Sequence, residues 1–152
     1  MARPMTRNAQ NGTILIVDDN LDVRAFAQAF LEHAGYSVAT AANGEEGLRY
    51  YQTHQSNILL LLTDVMMPKM NGLDLADRVL GLDSQLPVLF MSGDTWSADR
   101  GFGCVAKPFR PAELVERVSR VLNANTHVES RAHARRSPAD PHQLWKGQSI
   151  QT

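Results

Sequence analysis

Residues 58–64 read ILLLLTD, an uninterrupted aliphatic run from Ile58 to Leu62 closed by Thr63 and Asp64. A strand with one wet face alternates apolar and polar residues. This run does not, so it reads as a strand buried on both faces, the kind found inside parallel sheets. Three other runs share its plan, an apolar stretch ending on groups able to do chemistry. Ile14-Leu15-Ile16-Val17 runs into Asp18-Asp19, Val88-Leu89-Phe90-Met91 into Ser92, and Cys104-Val105-Ala106 into Lys107-Pro108. In a parallel sheet the strand C-termini share one edge, and ligands bind in the crevice outside it. Three carboxylates, a hydroxyl and an ammonium would converge there, a set suited to a divalent cation and a phosphoryl group.

The segments between these runs carry helical patterns. Asn20 or Asp22 can cap a helix with Val23, Phe26, Phe30 and Leu31 at helical spacing, stopped by Gly35. Tyr36–Thr40 is a further strand. Asn43-Gly44-Glu45-Glu46 opens a second helix, through Leu48 and Tyr51 to about His54. Asn71-Gly72 precedes a third, with Leu73, Leu75, Ala76, Val79 and Leu80 on its apolar face. Pro111 suits the first turn of a last helix, with Leu114, Val115, Val118 and Leu122 facing inward. Strands are predicted at 13–17, 36–40, 58–63, 87–91 and 103–106. Strand-helix alternation of this kind means an α/β fold, a parallel sheet with right-handed crossovers and helices on both faces.

Composition bounds the rest. A chain of 152 residues fits one domain with loose ends, predicted as a flexible 1–12, a folded 13–124 and a disordered 125–152. No aliphatic run approaches the ~18 residues that would span a bilayer, and Met1 to Gly12 is polar, unlike a secretory signal. The single cysteine, Cys104, excludes an internal disulfide and suits a reducing cytoplasm, the expected location. Residues 13–124 hold nine Lys/Arg against fourteen Asp/Glu, and both flanks are basic. A domain of net −5 is a poor partner for nucleic acid. From Asn125 the apolar periodicity stops, and His127, His133 and His142 lack a metal-ligand spacing. Leu144-Trp145 and Ile150 could be a docking segment, but an inert end is the plainer reading.

The chemistry centres on Asp64. A carboxylate can attack a phosphoryl group and carry it as an acyl phosphate. The incoming negative charge needs a counter-charge, and Asp18 and Asp19 offer oxygen ligands for a Mg²⁺, directly or through water. Lys107 can pair with one phosphoryl oxygen while the Ser92 hydroxyl donates to another. Each residue alone has a bland reading: Asp18-Asp19 as turn and cap, Asp64 as a cap, Ser92 bonding a strand-end backbone group, Lys107 on the surface. Their joint occurrence at successive strand ends carries the functional reading.

Those residues also carry a resemblance. ILIVDDN at 14–20, LLTDVMMPKMNG at 61–72, LFMSG at 89–93 and VAKPF at 105–109 resemble the receiver domain of two-component response regulators, as does GYSVATAANGEEGL at 35–48. The resemblance spans 13–124 and implies a doubly wound, flavodoxin-like five-stranded sheet in the order 2-1-3-4-5, whose switch point would bring Asp18, Asp19 and Asp64 together. It implies Asp64 as phosphoacceptor, Asp19 as direct Mg²⁺ ligand, Asp18 acting through water and Met66 adding its backbone carbonyl. Ser92 and Lys107 would bind the phosphoryl group, with Lys107-Pro108 a cis peptide. The phosphodonor would be a sensor histidine kinase or a histidine phosphotransfer protein, the output a protein–protein contact, and a phosphorylation-dependent dimer is a further expectation.

Two features depart from the family pattern. The Tyr or Phe usual three residues before the lysine is here Cys104. Only Ser92 to Phe102 separate the fourth and fifth strands, so the fourth helix is expected to be a stub, and residues 93–102 to be the element that rearranges on phosphorylation. Competing classes fit less well. A haloacid-dehalogenase-like phosphatase would place a second aspartate where Met66 stands, and no GxxxxGK[ST] phosphate loop occurs. A receiver fragment of a hybrid histidine kinase or multidomain regulator is the remaining alternative; Met1 and the tapering tail favour a complete single-domain protein. Lys107→Ala is expected even to stabilise the unphosphorylated protein if the ammonium pairs with the acidic cluster only once a phosphoryl group is bound, and removing Lys107 or Ser92 to impair switching more than folding.

Overall fold

The aliphatic run ILLLLTD lies at the centre of the sheet. In the computed structural model, which describes residues 12–93 and 103–135, every residue of β3 (Ile58–Asp64) is buried. On one side it pairs with β1 (Thr13–Val17) and beyond that β2 (Ser37–Ala41); on the other with β4 (Val88–Ser92) and then β5 (Gly103–Ala106). All pairs are parallel, in the order β2-β1-β3-β4-β5. Chain order therefore reverses between β1 and β3, and a crevice opens where the loops leave in opposite directions.

Two apolar clusters, one on each face of the sheet, show why these strands read as continuous apolar runs. Leu15, Val17, Leu61 and Phe90 face α2 (Gly44–His54) and α3 (Gly72–Leu82), packing with Tyr51, Leu75, Ala76 and Val79. Ile14, Ile16, Leu60, Leu62, Leu89 and Met91 face the opposite way, against Ala27 and Leu31 of α1 (Leu21–His33) and Leu114 and Val118 of α4 (Pro111–Arg135). Alternate residues enter opposite cores, so both faces are apolar along the middle of the sheet, with buried polar residues such as Thr13 and Thr63 only near the strand ends. Leu59 breaks the alternation by joining Leu60 on one face. The β1–β3 register accounts for this: Thr13 pairs with Ile58 but Ile14 with Leu60, leaving Leu59 as the extra residue.

The loops at the C-terminal edge end alike. Asn20, Asn43 and Asn71 are N-caps whose side chains accept from the amides of Val23 (3.1 Å), Glu46 (2.8 Å) and Asp74 (2.8 Å). Each cap satisfies a donor that the helix leaves open; Asn20 and Asn43 start their helices within a few residues of the strand end, while the loop from Asp64 to the Asn71 cap is longer.

The expected elements are present, with boundaries moved by a residue or so. Two readings change, and a third lies outside the described residues. The apolar stripe predicted for α1 included Phe26, but Ala27 and Leu31 are its buried residues and Phe26 is 59% exposed, its ring stacked on Phe30 at 6.2 Å. Two aromatics at i and i+4 satisfy each other at the rim, and the smaller Ala27 lets the helix close on the sheet. The last helix continues to Arg135, beyond the Asn125 at which apolar periodicity stops. What ends there is the packing signal: the compact α/β unit reaches Leu122, and helix-compatible residues carry the backbone further. The expected stub of a fourth helix, and the switching role given to it, fall on 94–102, outside the described residues, as do 1–11 and the Leu144-Trp145 and Ile150 segment.

Gly72 ties the fold to the site. Its amide donates to the Val65 carbonyl at 2.9 Å, and a Cβ on it would fall on the Asp64 carbonyl oxygen. In an unobstructed helix, Gly→Ala stabilises by about 1 kcal/mol. Gly72→Ala is expected to do the opposite, destabilising by about 1–3 kcal/mol as the Asp64 backbone is pushed aside. Urea unfolding checks the sign.

Candidate functional site

Asp18 directly follows β1 in full burial, and every polar group it owns is engaged. Its amide donates to the Ala41 carbonyl at 3.2 Å. Its Oδ1 accepts from the Asn20 amide at 2.8 Å, and its carbonyl accepts from Arg24 Nη1 at 2.7 Å. Its Oδ2 lies 2.8 Å from Lys107 Nζ. A fully buried carboxylate needs such partners, because taking its charge out of water unpaired would cost several kcal/mol.

Asp64 ends β3, 6% exposed, with Oδ1 3.3 Å from the same Lys107 ammonium. Asp19 is exposed, and carboxylate oxygens of Asp18, Asp19 and Asp64 all lie within 4.8 Å of one another. The strand ends are held in step by backbone bonds: Val65 N–H to Met91 O at 3.1 Å, and Lys107 N–H to Ser92 O at 2.8 Å. The second of these sets the buried Ser92 beside the lysine. The Thr63 hydroxyl donates to the Asp64 carbonyl at 3.0 Å. The Lys107–Pro108 peptide is cis, as the resemblance implies.

Burial pushes the Asp64 carboxyl above its ordinary 3.8, and the nearby Asp18 charge pushes it further. The Lys107 charge and hydrogen bond, and a hydrogen bond from the Met66 backbone, oppose this. For Lys107, burial alone would lower the ammonium, but the Asp18 hydrogen bond and the Asp18 and Asp64 charges outweigh it and leave the group raised. The lysine is therefore held charged, and it is held by the acidic pair.

The sequence-predicted residues Asp18, Asp19, Asp64, Ser92 and Lys107 are thus gathered at one edge. Cys104 stands half-buried on the edge strand β5; burial raises its thiol, against the Arg117 charge. Its carbonyl accepts from Arg117 Nη2 at 2.7 Å. Sequence reasoning missed Arg24 and Thr63. Arg24 sits one helical turn after the Asn20 cap, and that spacing was the available signal. Beside the acidic cluster, Val23, Phe26, Phe30, Lys107, Pro108 and Phe109 line a groove of about 500 Å³.

A doubly wound sheet that presents two aspartates from its first strand, one from its third, and a lysine after its fifth defines a phosphoacceptor domain. A family model described as the response regulator receiver domain matches residues 14–119. The chain belongs to that family, whose function is to accept a phosphoryl group on an aspartate. The probable transcriptional regulator ycf27 of Cyanidium caldarium is 33% identical over 95% of this chain and 58% of its own length. The response regulator receiver protein CpdR of Brucella abortus is 34% identical over 73% of this chain and 97% of its own. The chain spans about half the length of the first curated relatives it matches. Among solved structures, CheY in the CheX-CheY-BeF3-Mg+2 complex from Borrelia burgdorferi superposes with a TM-score of 0.68 at 27% identity, covering 72% of this chain and 88% of that one. No described helix is long and apolar enough to cross a membrane.

The engagement of Lys107 corrects one expectation. The ammonium already pairs with Asp18 and Asp64 before any phosphoryl group arrives. Lys107→Ala would leave a buried carboxylate without its charged partner, and is expected to destabilise the protein by about 3 kcal/mol. Thermal or urea unfolding in Mg²⁺-free buffer measures it; an unchanged midpoint would contradict the pairing.

Proposed function

We propose that Asp64 is the phosphoacceptor and that a phosphohistidine on a sensor kinase or phosphotransfer protein is the donor. The observation that carries this is the single ammonium of Lys107 shared by Asp18 and Asp64 at a buried strand edge. An Asp64 oxygen attacks phosphorus, the P–N bond breaks, and the imidazole nitrogen leaves with the bonding pair. Such transfer depends on positioning and charge neutralisation more than on covalent help from the protein. Lys107 can pass from the carboxylates to a phosphoryl oxygen without leaving the site, and the Ser92 hydroxyl donates to a second oxygen.

The donor set fits Mg²⁺. It is all oxygen, it is carboxylate-rich, and Asp19 is open to water, as a cation that keeps several waters requires. Asp19 would bind it directly, Asp18 through water, with Asp64 and the Met66 carbonyl completing the protein ligands. Bound there, the ion would neutralise charge on the phosphoryl oxygens. The complex that holds the Borrelia relative together with Mg²⁺ and beryllofluoride supports the same assignment.

Output in this reading is by protein contact, in the cytoplasm, and includes a dimer formed on phosphorylation. Leu21 at the start of α1, Phe26 further along the same helix and Met66 two residues after Asp64 are large apolar side chains, 67%, 59% and 69% exposed. They suit a partner surface that delivers a histidine to Asp64.

Asp64→Ala is expected to abolish labelling by acetyl phosphate or a cognate kinase, and Asp19→Ala to weaken Mg²⁺ binding at least tenfold. Labelling of the unaltered protein should need Mg²⁺ and should decline with falling pH as Asp64 takes up its proton. Intact-mass spectrometry reads the adduct. Full labelling of Asp64→Ala would contradict the assignment.

A further inference from the structure

Resting on this reading of the site, we propose that Arg24 is a positioning residue for Asp19, acting through the peptide plane between Asp18 and Asp19. The Asp18 side chain is fixed at both oxygens, by the Asn20 amide and by Lys107. Its amide is fixed on Ala41. The freedom that remains at this strand end is rotation of the peptide plane that carries the Asp18 carbonyl and the Asp19 N–H. That rotation decides where the exposed Asp19 carboxylate points, and the Asp18 carbonyl is the atom that Arg24 Nη1 holds at 2.7 Å.

The location of Arg24 supports a tertiary purpose. It lies in the first turn of α1, its own amide donating to the Asn20 carbonyl at 3.1 Å. A cation in a first turn is disfavoured by the helix dipole. Its charge is better placed toward the sheet edge, where Asp18, Asp19 and Asp64 gather. The long, half-buried side chain reaches back over the turn to the β1 terminus, so one residue ties α1, the strand end and the carboxylate pair into a single piece. Groups that orient metal-binding side chains without touching the metal commonly set affinity by 10–100-fold.

The test is a double-mutant cycle on Mg²⁺ binding by titration calorimetry, with no phosphodonor present. Arg24→Met keeps the length of the side chain and removes its donors, and is expected to raise the Mg²⁺ Kd about tenfold. Arg24→Lys restores a long donor and should return the Kd to within about threefold of the unaltered protein. In an Asp19→Asn background Arg24→Met should have little further effect, because the group it positions is no longer a carboxylate. Unfolding midpoints recorded alongside separate loss of fold from loss of positioning, and Arg24→Gln runs the same cycle if Arg24→Met does not fold. An unchanged Kd in Arg24→Met, or losses that multiply independently with Asp19→Asn, would overturn the proposal. An unaltered protein that binds no Mg²⁺ would instead overturn the reading of the site on which it rests.

Discussion

One ammonium group, on Lys107, stands 2.8 Å from a fully buried Asp18 and 3.3 Å from Asp64, and the rest of the site depends on that contact. Without it, two carboxylates would face each other across a strand edge with little water to separate them. The contact is possible because the sheet order β2-β1-β3-β4-β5 places the β1 and β3 ends side by side. The Lys107 amide, bonded to the Ser92 carbonyl, then sets the reach of the side chain from two strands away. Topology, not local sequence, makes these residues neighbours.

The same contact shows how the site stores its readiness to react. Asp64 has a folded-state pKa raised first by burial and then by Asp18. For an acid raised in this way the native state binds more protons than the unfolded chain, so its contribution to stability falls as pH climbs through the window above 3.8. Lys107, also raised, contributes stability that is in place below about 10.5 and is lost only as pH passes its folded value. At neutral pH a destabilised nucleophile is therefore held by a firmly charged partner. A cation or a phosphoryl group that takes over part of that pairing relieves the crowding, which couples chemistry at the edge to the stability of the surrounding loops.

Much of this was legible in the chain. ILLLLTD gave a strand buried on both sides because no residue in it could face water, and β3 is that strand. The chemical residues were legible through position alone: each follows an apolar run, and parallel strands share an edge. What could not be read were features set by packing across distance. Phe26 has the spacing of a core residue, yet Ala27 takes the sheet-facing place because a small side chain lets α1 approach. The pairing of Lys107 before phosphorylation depends on the depth of Asp18, which no run of letters expresses. Arg24 binds a backbone carbonyl, and carbonyls are the same at every position. The helix past Asn125 was hidden because apolar periodicity marks where a helix packs, not where its hydrogen bonds stop.

The pairing at the centre of this site can be read directly by ¹³C NMR titration of the Asp64 side-chain carboxyl, in Mg²⁺-free protein and in Lys107→Met. Expected is a midpoint above 3.8 in the unaltered protein, where burial and Asp18 outweigh the lysine, and a further rise when the ammonium is removed. A midpoint at or below 3.8 that ignores the loss of Lys107 would contradict it.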